Sequence, residues 1–200
     1  MSFDSTLLKG HDQAFREVRP TEIPGCLEIF SNIYSDARGR FVKTFRNDWF
    51  QSQGLRSDFV EQYYSDSHYR VLRGLHFQRP PAHHAKLVYC VRGTVLDAAL
   101  DLRPHSPSFG MHMLRELSAE GGNILYLPEG VAHGFYVTSE SATIVYAVTS
   151  VYSPQHDSGV HWASAGIQWP DSNPIVSKRD QELPPFSMAA TVFADLNHES

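Results

Sequence analysis

Three stretches of the chain place ionisable side chains inside runs that otherwise read as buried. The first is Arg73-Gly74-Leu75-His76-Phe77-Gln78, followed by Pro80-Pro81 and His83-His84-Ala85-Lys86. The second is Leu127-Pro128-Glu129-Gly130-Val131-Ala132-His133-Gly134-Phe135, and the third is Thr143-Ile144-Val145-Tyr146. Imidazole titrates near neutrality and is a common metal ligand, so His76 and His133 suit proton transfer or metal binding. They suit equally the plain role of a hydrogen-bonded core histidine, and Tyr146 that of a buried aromatic with a bonded hydroxyl. On a strand, Arg73, Leu75 and Phe77 share one face while Gly74, His76 and Gln78 share the other, with Gly74 expected to leave open space beside the imidazole. His83 and His84 follow two prolines and are expected at the surface, where they can rim the site. No His-x-His pair occurs, and the acid of the second stretch, Glu129, precedes its histidine, so three converging ligands plus an acid are not predicted and no metal is expected.

Composition narrows the classes. The 200 residues are 42% hydrophobic and 20% charged, which is neither disordered nor low-complexity and suits one soluble domain. That domain is expected over residues 1–180, with 181–200 a tail whose last residues, 195–200, read as polar and mobile. With 17 Lys and Arg against 22 Asp and Glu, the net charge of -5 argues against a nucleic-acid partner. No apolar run approaches the ~20 residues that span a bilayer, and residues 1–13 lack a secretory pattern, so a cytoplasmic protein is expected. Cys26 and Cys90 read as buried free thiols. Of the 11 histidines, seven (His11, His68, His105, His112, His156, His161 and His198) carry no feature beyond surface or structural duty.

The elements that must position these groups read as β. Runs rich in β-branched and aromatic residues fall at 26–34, 41–46, 59–65, 72–77, 86–91, 94–102, 111–117, 124–127, 133–137 and 143–151, the pattern of a sandwich or barrel. In 94–102, Val95, Asp97, Ala99 and Asp101 oppose Leu96, Ala98, Leu100 and Leu102, and the second, more apolar face is expected on the core. Arg92-Gly93 reads as the turn of a two-residue hairpin joining its flanking strands. A short helix is predicted after Asn47, with Asn47 as cap, Asp48 in the first turn and Gly54 past the end.

Taken together, Asp36-Ala37-Arg38-Gly39-Arg40-Phe41, Val71 to Gln78, Lys86-Leu87-Val88, Asp97 to Asp101, Ser106-Pro107-Ser108-Phe109-Gly110 and Leu127 to Phe135 resemble the dTDP-4-dehydrorhamnose 3,5-epimerase family from about Pro20 to Asp180. The resemblance implies an all-β, cupin-like jelly roll with one or two short helices, no metal and no cofactor, and a homodimer. It implies inversion of carbon 3, carbon 5 or both in a nucleoside-diphosphate-linked 4-keto-6-deoxy sugar, in deoxysugar biosynthesis. His76 matches the family's base, Tyr146 its acid, Lys86 the group beside the ketone oxygen, and Asp180 the carboxylate that orients the base. Arg73 and Arg38 match the diphosphate-binding arginines, and Tyr152 an aromatic near the nucleotide; His133 is expected in the substrate pocket. Lys43 stands where the family has Glu, and the segment Glu61-Gln62-Tyr63 where it has Gln-x-Asn, so the nucleotide is open among dTDP, CDP and GDP. Two other readings use the same residues: a metal-dependent cupin dioxygenase or isomerase with ligands among His76, His83, His84 and His133, and a non-catalytic sugar-nucleotide binder.

Overall fold

The computed structural model describes residues 14–189; the readings for His11, His198 and 195–200 lie outside them. The elements in order are β1 Phe15–Pro20, β2 Leu27–Ser31, β3 Ile33–Asp36, β4 Gly39–Val42, α1 Asn47–Ser52, β5 Glu61–His68, β6 Leu72–Gln78 and β7 Lys86–Arg92. There follow β8 Thr94–Asp101, β9 His112–Ser118, β10 Asn123–Leu127, β11 Val131–Val137, β12 Ser141–Val148, β13 Asp157–Gly159, α2 Lys178–Gln181 and α3 Phe186–Ala189. Two sheets form a jelly roll, one ordered β1-β2-β10-β7-β12-β5 and the other β13-β6-β11-β8-β9, while β3 and β4 make a separate hairpin. No helix among the described residues is long and apolar enough to cross a membrane.

Alternating side chains fill the space between the sheets. Val88, Leu125, Leu127 and Ile144 from one sheet meet Val95, Ala99, Leu117 and Phe135 from the other, all buried, along with Cys26 and Cys90, both free thiols. A second cluster forms where Phe15, Phe50, Leu87, Ile124 and Tyr126 close the outer face of the first sheet beneath α1. A third packs Leu75, Ala98, Leu100 and Leu102 under Val160, Ile167 and Ala189. Truncating a side chain as deeply placed as Phe50, which is fully buried, costs about 3 to 5 kcal/mol.

Several local expectations are corrected. Strands β1 and β13 go unpredicted: the first follows Ala14 in a polar run, and the second has three residues and no period to read. The run 26–34 divides at Asn32 into β2 and β3. Gly93 does turn the chain, with φ +76, but β7 and β8 do not pair. Both edges of β7 are occupied by β10 and β12, and both edges of β8 by β11 and β9, so the turn crosses from one sheet to the other. A turn signal specifies local geometry and not the partner. On β8 both faces are buried: Val95, Asp97 and Ala99 point between the sheets, and the more apolar Ala98 and Leu100 lie beneath the C-terminal segment. Helix α1 is capped by Arg46, which makes no side-chain cap bond, and not by Asn47. Residues 181–189 run on over the barrel, where Ala189 is buried in the third cluster.

The most consequential departure is on β6. Pairing with β11 runs Tyr136 to Leu72, Phe135 to Arg73 and then His133 to His76, so Gly74 and Leu75 together oppose Gly134. This bulge resets the alternation and brings Arg73 and His76 to the same cavity, against the strict period-2 expectation. Gly74 does not provide open space: at φ +126, a Cβ on it would lie 2.5 Å from the Gly134 Cα. Glycine is required there because two backbones close on each other.

Candidate active site

A cavity of about 480 Å³ opens between the sheets, and its walls come from β5, β6, β7, β11 and β12 with the segment after β12. His76, Lys86, Tyr146, Arg73, His133, Glu61, Tyr63 and Tyr152 all line it. His76 stands on β6 in one sheet, whereas Lys86 and Tyr146 stand on paired strands β7 and β12 of the other.

His76 Nε2 lies 2.7 Å from Asp180 Oδ1, and the second Asp180 oxygen accepts from the Gly74 N–H at 3.2 Å. Asp180 is itself held in place where Ser177 Oγ accepts from its backbone N–H. Burial would raise the Asp180 carboxyl, but the bond and charge of His76 and the Gly74 N–H hold it below the usual carboxylate range. An ionised carboxylate only accepts, so Nε2 carries the proton and donates, leaving the lone pair on Nδ1. Burial lowers the imidazole below its ordinary value despite the opposing pull of Asp180, which favours the free base at neutral pH.

Tyr146 is 8% exposed and its hydroxyl bonds to Ser65 Oγ at 3.2 Å. Burial pushes the phenol well above its ordinary value, so it holds its proton at any physiological pH. The Tyr63 ring stacks on it, with centroids 4.8 Å apart at 20°, and the His133 ring meets it edge-on at 5.9 Å. His133 Nε2 in turn lies 2.8 Å from Asp97 Oδ2, both side chains being buried.

Lys86 is 5% exposed and its Nζ donates to the His76 carbonyl at 2.9 Å. Burial draws its ammonium down to about 8, with the charges of Asp157 and Asp97 pulling the other way. The folded protein therefore binds this proton less tightly than the unfolded chain, whose lysine titrates near 10.5. Stability is withheld below pH 8 and regained as pH rises from about 8 to about 10.5. Lys86→Met is accordingly expected to stabilise the fold at pH 7 by a net ~1 kcal/mol or more, read as a higher melting temperature, while cutting turnover about 10²- to 10³-fold. A lower melting temperature would contradict the account of the buried charge.

Other sequence-predicted residues fall outside the cavity. Arg38 sits on the β3–β4 hairpin, its side chain 90% exposed and paired with Asp36. Lys43 follows that hairpin, and its carbonyl accepts from Ser31 Oγ. Gln62 points to the opposite face of β5 from Glu61 and Tyr63, toward the Tyr89 hydroxyl at 3.5 Å. His83 pairs with Glu129 at 3.2 Å, whereas His84, expected at the surface, lines the cavity, with Nδ1 3.1 Å from Gln78 Nε2. Burial lowers His84 to about 3, so it stays neutral. Among the described residues no three His, Cys, Asp or Glu side chains converge to hold a metal ion.

Sequence reasoning missed Ser65, Asp157 and Arg179. Arg179 lines the cavity and pairs with Asp157 at 2.7 Å. Its neighbour Asp180 was the available signal; nothing in the short β13 points to Asp157. Ser65 could have been read from its spacing, two residues after Tyr63 on the same face of a strand.

A sequence profile of the dTDP-4-dehydrorhamnose 3,5-epimerase family matches residues 20–188. The dTDP-4-dehydrorhamnose 3,5-epimerase of Shigella flexneri is 42% identical over 163 residues, covering 80% of this chain and 90% of that one. The Salmonella typhimurium enzyme of the same name is 40% identical over 168 residues, covering 82% and 92%. Among solved structures, a 4-keto-6-deoxy sugar epimerase from the novobiocin cluster of Streptomyces spheroides superposes with a TM-score of 0.83 at 35% identity, covering 88% of this chain and 89% of that one. The Legionella pneumophila dTDP-6-deoxy-D-glucose-3,5-epimerase in complex with dTDP-4-keto-L-rhamnose gives 0.82 at 33%, covering 86% and 93%.

Proposed function

This chain belongs to the dTDP-4-dehydrorhamnose 3,5-epimerase family, and we infer that it is a cytoplasmic isomerase of deoxysugar biosynthesis. It inverts carbon 3, carbon 5 or both of a nucleoside-diphosphate-linked 4-keto-6-deoxy sugar. The observation that carries this reading is that His76 and Tyr146 enter one cavity from facing sheets. Inversion needs a base on one face of the sugar ring and an acid on the other. His76 takes a proton from the carbon beside the ketone, and the charge that develops on the ketone oxygen is stabilised by the Lys86 ammonium. Tyr146 then returns a proton from the opposite face. Asp180 keeps the imidazole in the tautomer whose Nδ1 can accept.

Arg73 suits the diphosphate: Ser67 Oγ accepts from its Nε at 2.9 Å, which orients the guanidinium while leaving donors for phosphate oxygens. Glu61, Tyr63 and Tyr152 are assigned to the nucleotide; Glu61 accepts from the Tyr152 N–H at 2.8 Å. A carboxylate there accepts from an amino group on a base, which keeps CDP and GDP beside dTDP as carriers. The place of Arg38 and Lys43 near an exposed hairpin, with Tyr34 and Phe41 also exposed, supports a homodimer in which they serve the second copy.

The test is incubation in deuterium oxide with dTDP-, CDP- and GDP-4-keto-6-deoxy sugars. Solvent deuterium is expected at carbon 3 or carbon 5 of at least one. No incorporation with any of them would overturn the assignment.

A further inference from the structure

Each inversion leaves the two sides of the cavity out of balance, with His76 holding an extra proton and Tyr146 lacking one. A tyrosinate in this position is costly, because the hydroxyl lies in a buried site that disfavours charge. It must be reprotonated before the next turnover. The tyrosine is nearly closed off from solvent: Tyr63 stacks on its face, His133 meets it edge-on, and a substrate in the cavity would cover what remains. Among the described residues its hydroxyl has one hydrogen-bond partner, Ser65 Oγ. Ser65 is half-buried, lines the same cavity, and stands on β5, the last strand of its sheet. A serine hydroxyl can accept and donate at once, which a relay requires.

We propose that Ser65 is the positioning residue through which Tyr146 recovers its proton after every inversion. Tyr146 gives its phenolic proton to the carbon of the enolate, forming the new C–H bond as the ketone is restored. Ser65 then passes its hydroxyl proton to the tyrosinate oxygen while Oγ takes one from a solvent water. The hydroxide that remains is neutralised by the proton that His76 releases. The step uses no reagent besides water.

The proposal rests on the epimerase reading, and a comparison of first and later turnovers separates the two. Ser65→Ala is expected to perform the first inversion at close to the wild-type rate, since Tyr146 starts protonated, and then to slow at least about tenfold. The result is a burst of about one inversion per site. Deuterium exchange driven by His76 should persist in this variant, and Ser65→Thr, which keeps the hydroxyl, should restore steady turnover to within about threefold. Equal slowing of first and later turnovers, loss of exchange together with inversion, or wild-type steady turnover in Ser65→Ala would each overturn the relay. Absence of exchange in the wild-type enzyme would instead overturn the epimerase reading itself.

Discussion

His76→Asn is expected to abolish solvent-deuterium incorporation at both carbon 3 and carbon 5, and with it all inversion. General bases contribute roughly 10² to 10⁴ in rate, and the other titratable groups that line the cavity from the His76 sheet are engaged elsewhere. His133 is bonded to Asp97, and Asp157 is paired with Arg179. The asparagine amide can still donate to Asp180, so the fold should be unaffected, and the melting temperature serves as the control. Because burial sets the His76 pKa below its ordinary 6.5, the acid limb of the wild-type kcat/KM profile should also lie below pH 6.5. Exchange in His76→Asn at the wild-type rate would remove His76 from the base role.

Tyr146→Phe is expected to separate the two half-reactions. Proton abstraction belongs to the opposite wall, so deuterium should still enter the substrate by return to the same face. Net inversion should fall about 10²- to 10⁴-fold, the usual contribution of a general acid, because Lys86 on the same sheet is assigned to the ketone oxygen and not to the ring carbon. Phenylalanine keeps the stack on Tyr63 and the edge contact with His133. It loses only the hydroxyl and its bond to Ser65, worth about 1 kcal/mol. Chiral analysis of the product alongside mass measurement of deuterium distinguishes the outcomes; inversion at the wild-type rate would require another acid. Ser65→Ala differs from this variant in retaining its first turnover, so the pair tests acid and relay separately.

How far the site could be read beforehand depended on where its parts lie. His76, Lys86, His133 and Tyr146 were legible because each is an ionisable residue within an apolar run, and because the runs keep a recognisable order. Arg73 was legible as a residue but misplaced by alternation, since a bulge against Gly134 is invisible to a count of two. His84 was expected at the surface or at the rim of the site, because a loop after two prolines gives no sign of how far it folds back into the cavity wall. Gln62 was taken along with its neighbours, although on a strand it must face the other way.

Residue chemistry is a local property, and the sequence alone determined it here: an imidazole able to take a proton, a phenol able to give one, an ammonium to stand by an oxyanion, and the all-β frame that repeats at two residues. Convergence is not local. Asp180 reaches His76 across 104 residues, and Tyr146 faces His76 only because β12 pairs with β7 while β6 pairs with β11 in the other sheet. Those pairings follow from how two sheets bury their apolar faces against each other, which no single strand can encode. The tertiary structure therefore decided which side chains meet, which of them lose water, and how far their proton affinities move as a result.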